Sequence, residues 1–166
     1  MPEYAYNREA AVQYAHAWAY QRNPRYYNFD KLGGDCTNFA SQCIFAGAGV
    51  MNFTPTYGWY YTNSNNRSPS WSGVPFLYTF VTNNRGHGPF AVQAPMASVE
   101  PGDFVQLGHG DGRFFHSPFI VSVGSPATKQ NILIATHTYD RDYYPLAAYD
   151  GRYELIRFVH ILGVRA

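Results

Sequence analysis

LGGDCTNFASQ, residues 32–42, sets a cysteine directly after two glycines and directly before a run of helical character. Cys36 is therefore a buried structural residue, a metal ligand or a nucleophile, and the choice decides how the rest of the chain reads. A helix start presents free backbone N–H groups and the positive end of the helix dipole. Both favour a thiolate, and thiols in such places have pKa values lowered to about 3.5–7.5. Gly33 and Gly34 permit a tight turn ahead of the thiol, and the N–H of Cys36 is itself a donor for an oxyanion. Cys43, among Phe39, Ile44 and Phe45, reads as a small core hydrophobe. On one helix the two cysteines lie about 10.5 Å apart along the axis. A disulfide needs Cα atoms within about 7 Å, so both are expected reduced.

Working outward, REAAVQYAHAWAYQ (8–21) places Ala11, Tyr14, Ala15, Trp18 and Ala19 on one stripe, with Asn7 as its cap. The spacing predicts a second helix over 36–46, capped by Asp35 or Thr37 and stopped by Gly47–Gly49. A third is predicted over 73–83, with Pro75 in its first turn. Residues 50–71 read as loop. The period then changes. PGDFVQL (101–107) is a turn and a strand, and FFHSPFIVSV (114–123) is β-rich, with Pro118 marking an edge or a bulge. After a turn at 124–131, ILIATHT (132–138) and YELIRFVHIL (153–162) are further strands. Helices gathered ahead of an antiparallel sheet give an α+β class.

The 166 residues fit one domain, 1–166, and bury a core without disulfide support. A charged fraction of 14% against 46% hydrophobic excludes a disordered chain, and a net charge of +1 points to neither nucleic acid nor an anionic membrane as partner. No stretch approaches the roughly 20 apolar residues of a membrane span, and MPEYAYNREA lacks the pattern of a signal peptide. The expectation is a cytoplasmic protein or a domain excised from an exported one. Cysteine spacing gives no support to structural zinc. Aromatics reach 18%, which serves either packing or a cleft for flat groups.

A nucleophilic cysteine needs a base, and the base needs a third group. His16 and His160 fall on core-facing patterns, and His87 and His109 sit in glycine-rich loops. His116 and His137 lie on consecutive strands that pair antiparallel by default. One register puts both on the same face. A one-residue slip turns His137 away and brings Asp140 to the face of His116, so both stand as candidates for the third member.

GGDCTNFASQ resembles the signature of the putative amidase domain family, in which it is followed by a PGD turn, an H-[SP]-x-x-V strand and an H-T-x-D segment. The chain carries these in order at Pro101–Gly102–Asp103, His116–Ser117 through Ile120–Val121, and His137–Thr138 with Asp140. YNREAAVQYAHAWAYQRNPRYYNF fits that family's first helix. More distantly, the layout is similar to NlpC-like and CHAP cysteine peptidases of the papain-like superfamily, with Thr37–Asn38 where NlpC-like members have Ser-Gly.

The resemblance implies a papain-like α+β fold and cysteine-dependent cleavage of an amide, with cell-wall muropeptide or peptide as the substrate class. It needs no cofactor and no metal. Cys36 is then the nucleophile, His116 the base and His137 or Asp140 the orienting group. Cys36, Asn28, Asp35, Asn38 and Trp59 are the oxyanion or cleft candidates. The aromatics of 50–71, Tyr57, Trp59, Tyr60, Tyr61 and Trp71, either wall the cleft or pack over the helix. Two rivals remain: an inactive glycan- or peptide-binding module, and a metal-dependent amidase using His87, His109, His116 and His137.

Overall fold

The computed structural model describes residues 1–166. Strand β1 is Glu3–Tyr4 and helix α1 is Arg8–Trp18, whose first turn is capped where the Ala10 N–H donates to the Asn7 side chain. It ends one turn before the predicted position. Helix α2, Cys36–Ala48, starts where the sequence places it and closes at Gly49. The two helices press together because Gly47 has no side chain. A Cβ there would meet the Tyr6 ring and the Asn7 carbonyl at 2.6 Å.

The segment 50–71 is more ordered than a loop. It forms a small hairpin, β2 (Tyr61–Asn63) and β3 (Asn66–Arg67), and a one-turn helix α3 (Pro69–Ser72), followed by α4 (Val74–Asn83) with Pro75 in its first turn.

The second half supplies the sheet: β4 (Gly88–Ala94), β5 (Phe104–Gly108), β6 (Phe114–His116), β7 (Phe119–Ser122), β8 (Leu133–Thr136), β9 (Arg141–Pro145) and β10 (Leu155–Arg165). Every pairing is antiparallel, and β10 is the spine. At Phe158 and Val159 it pairs with β4 on one edge and β5 on the other. Beyond β5 the order continues through β7, β8 and β9. The fold is α+β with an antiparallel sheet. No helix is long and apolar enough to cross a membrane.

Side chains alternate across the strands, and both faces are buried. On the helical face Phe104, Phe119, Val121, Ala135, Val159 and Ile161 join Ala11, Ala15, Phe39, Cys43 and Ile44 in a cluster of 23 buried residues. On the opposite face Val105, Leu107, Ile120, Ile134 and Phe158 join Val99, Ile132 and Leu146 in a cluster of eight. The segment 144–156 covers this second face, packing Tyr144, Tyr149, Tyr153 and Ile156 against it.

Pro118 breaks the strand expected over 114–123. Its N-terminal piece, β6, pairs with β5, while β7 pairs with both β5 and β8. Phe119 lies opposite Ala135, and Ile120 opposite Ile134. Carried two residues further, that register sets position 137 across from 117 rather than 116, which is the slipped alternative.

Candidate active site

The turn before α2 is built by Gly33 and Gly34, at φ +87° and +98°. The Gly34 N–H donates to the Phe29 carbonyl, and a Cβ on Gly34 would stand 3.3 Å from the Thr138 hydroxyl oxygen. Thr138 and Tyr139 also hold left-handed backbone, at φ 65° and 59°. Two tight turns, one ahead of the helix and one after β8, thus meet edge to edge. The Asp35 N–H reaches the Thr138 hydroxyl at 3.4 Å.

Cys36 opens α2 and lines a cavity of about 540 Å³. His116, at the end of β6, lines it too, together with Phe115, Tyr149, Arg141 and Arg152. The sulfur lies 3.8 Å from the Thr37 hydroxyl, and the backbone of Ser117 and Thr37 favours its ionised form. The N–H of Cys36 has no partner within the chain, as expected at a first helical turn. Below the sulfur runs a buried polar chain. The Thr37 and Ser117 hydroxyls are 3.0 Å apart, Gln106 Nε2 donates to the Ser117 hydroxyl at 3.1 Å, and Arg157 donates to Gln106 Oε1.

Burial governs both groups. It pushes the Cys36 thiol above its ordinary range, against the backbone and the hydroxyl that favour the thiolate. It pushes the His116 imidazole down to about 4. At neutral pH the resting pair is therefore an uncharged thiol and an uncharged imidazole. Desolvation thus opposes the thiolate that the helix start favours.

The group that meets His116 is Tyr149, whose hydroxyl lies 3.2 Å from Nε2. His137 does not meet it. Its Nδ1 lies 2.5 Å from Asp35 Oδ2, its Nε2 lies 2.8 Å from the Trp18 carbonyl, and its ring stacks on Phe39. Nor does Asp140, whose carboxylate is held by the Arg22 guanidinium at 2.9 Å. The slipped register turns His137 inward, and the left-handed turn at Thr138–Tyr139 carries Asp140 away from His116.

The other cleft candidates lie elsewhere. Asp35 is fully buried, and its side chain does not cap the helix. It accepts the Phe29 N–H, the Asn38 amide and the His137 ring nitrogen. Asn38 accepts the Trp71 indole N–H at 3.0 Å, and Trp59 donates to the Ser41 hydroxyl at 3.1 Å. Trp59 and Trp71 are fully buried and pack over α2, Tyr57 is exposed, and none of the five aromatics of 50–71 lines this cavity. Asn28 is exposed and does not line the cavity; its side chain accepts the Asp30 N–H.

The four histidines of the metal alternative do not gather, and no three His, Cys, Asp or Glu side chains converge as a metal would require. His16 pairs with Asp142 and His160 with Asp103, in structural roles.

Tyr149, Arg141 and Arg152 escape sequence reading altogether. Tyr149 comes from the 3₁₀ turn Leu146–Tyr149, which follows β9. Nothing local in PLAAYDGR signals a partner for a histidine on β6.

The family model described as the putative amidase domain matches residues 5–160. The uncharacterized protein YhbB of Bacillus subtilis (strain 168) is 36% identical over 142 residues, covering 82% of this chain. The matched region is 43% of that relative's own length. No solved structure matches the chain.

Proposed function

The chain belongs to the putative amidase domain family, and from that premise we propose that it hydrolyses an amide bond with Cys36 as nucleophile and His116 as base. The observation that carries this reading is the shared cavity: a helix-opening thiol and a strand-borne imidazole face one space large enough for a peptide segment. A papain-like arrangement, with the thiol on a helix start and the base on a neighbouring strand, is part of the same proposal. Cell-wall peptide is its proposed substrate class.

The reaction starts from the neutral pair. The His116 Nε2–H donates to the Tyr149 oxygen, which fixes the tautomer and leaves Nδ1 as base. Nδ1 takes the thiol proton as Cys36 Sγ forms a bond to the carbonyl carbon. The N–H of Cys36 donates to the oxyanion. The C–N bond breaks, His116 gives its proton to the departing amine, and a thioester remains. Water attacks the thioester, passing a proton back to His116. The acid leaves, and the sulfur recovers its proton. Proton transfers of this kind contribute about 10²–10⁴-fold.

His137 has a different part in this account. It is a positioning residue that holds Asp35, and Asp35 holds the turn from which Cys36 projects. Incubating the protein with short peptides and muropeptides, with and without Cys36→Ala, tests the reading. Amine release is expected from the wild type only, blocked by iodoacetamide and indifferent to chelators. Release that chelators abolish and iodoacetamide spares would overturn it.

A further inference from the structure

Arg141 and Arg152 line the same cavity as Cys36 and His116, and no carboxylate lines it with them. The acids nearest to these two arginines in sequence are all committed elsewhere. Asp140 is held by Arg22, Asp142 by His16, and Asp150 by Lys129. Glu154 turns to the Gly110 N–H. Arg141 donates only to the Asp140 carbonyl and lies over the Tyr144 ring at 5.0 Å. Arg152 has no ion pair. The cavity therefore carries two unmatched guanidinium groups beside an uncharged thiol and imidazole.

We propose that Arg141 and Arg152 select a substrate with a carboxylate close to the amide that is cleaved. The guanidinium is planar, always charged and shaped to grip a carboxylate in a bidentate way. An apolar or cationic substrate gains nothing from the pair. Tyr149 lines the same cavity as the two arginines, so a bound carboxylate would sit next to the group that meets His116. This inference rests on the hydrolase reading for its substrate, but the anion site can be measured without turnover.

The first test compares alkylation of Cys36 by iodoacetate and by iodoacetamide at low ionic strength, with glutathione as reference. The two reagents differ in carrying or lacking a carboxylate. The wild-type preference for iodoacetate should exceed that of glutathione by on the order of tenfold. It should fall to the glutathione value in the Arg141→Gln/Arg152→Gln double variant; the ratio of the two rates is the readout, because removing both charges also changes the reactivity of the thiol towards either reagent.

The second test follows the backbone amides of Gly33, Gly34 and Tyr149 by ¹H–¹⁵N NMR in Cys36→Ser protein. N-acetylglycine should give saturable shifts, N-acetylglycinamide weaker ones, and the double variant none. N-acetylglutamic acid α-amide, tested alongside, separates a side-chain carboxylate from a main-chain one. Equal shifts for acid and amide, or a reagent preference that survives the double variant, overturn the proposal. A thiol inert to both reagents, with acid-selective shifts intact, counts against the nucleophile and not against the anion site.

Discussion

Tyr149 and the two reacting groups set the chemistry at the scale of single residues. His116 is held neutral by burial, with its pKa pushed from 6.5 to about 4. If its free base is what accepts the thiol proton, the acid limb of the rate profile should fall near pH 4. A limb near 6.5 would show a solvated imidazole. The same shift has a stability consequence. Between these values the unfolded chain binds a proton that the folded chain does not, so the contribution of His116 is complete above pH 6.5 and is lost as the pH falls towards 4. That loss amounts to about 3 kcal/mol. A His116→Gln protein should lack it, giving a flatter denaturation midpoint between pH 6.5 and 4. Replacing Tyr149 by Phe removes the hydroxyl that fixes the tautomer. The expected result is a fall in kcat of roughly tenfold or more with little change in the melting curve. A rate equal to wild type would remove Tyr149 from the mechanism.

At the scale of elements, the turn ahead of α2 and the turn after β8 depend on each other. Gly34→Ala places a Cβ against Thr138 in a left-handed backbone, a strain of about 1–2 kcal/mol. It should lower the melting temperature and slow Cys36 alkylation together. Trp71→Phe instead leaves the buried Asn38 oxygen without its donor, costing about 1–3 kcal/mol. Because Trp71 is core and not cavity wall, the alkylation rate of Cys36 should not move.

The same elements show what can be read from the chain beforehand. The start of α2 is legible because two glycines, a capping position and an apolar helix follow one another locally. The Asn7 cap and the core role of Cys43 are legible for the same reason. The partner of His116 is not. Ser117–Pro118 divides the strand into two pieces, of which only the second pairs with β8, so counting along it leaves the face of His137 undecided. Tyr149 arrives from a separate turn through tertiary packing alone. Strand β4 is framed by Pro89 and Pro95, and it is defined by its pairing with β10 rather than by its own pattern.

Over the whole molecule, the PGD turn does more than begin a strand. Asp103 is fully buried and accepts from Arg8 at 2.8 Å and from the Ile161 N–H at 2.9 Å, and its Oδ2 lies 2.7 Å from the His160 ring nitrogen. It ties the start of α1 to β5 and to the spine strand β10. Asp103→Ala removes the nearest carboxylate from Arg8, leaving the more distant Glu100, and takes the acceptor from the Ile161 N–H; it should cost about 3 kcal/mol in urea denaturation. A cost below about 1 kcal/mol would mean that the sheet holds α1 without this network. The family match, 5–160, takes in this network as well as the cavity. The chain corresponds to 43% of its Bacillus subtilis relative, so what that longer protein does is a separate matter from the chemistry proposed for Cys36. That chemistry is tested most directly by acid-quenching the protein during incubation with carboxylate-bearing peptides and measuring the mass of the peptide that contains Cys36. The account predicts an added acyl group on Cys36 in the wild type, removed by hydroxylamine and absent from Cys36→Ser. Amide hydrolysis that proceeds at the same rate in Cys36→Ser, with no acyl group on the wild-type thiol, would contradict it.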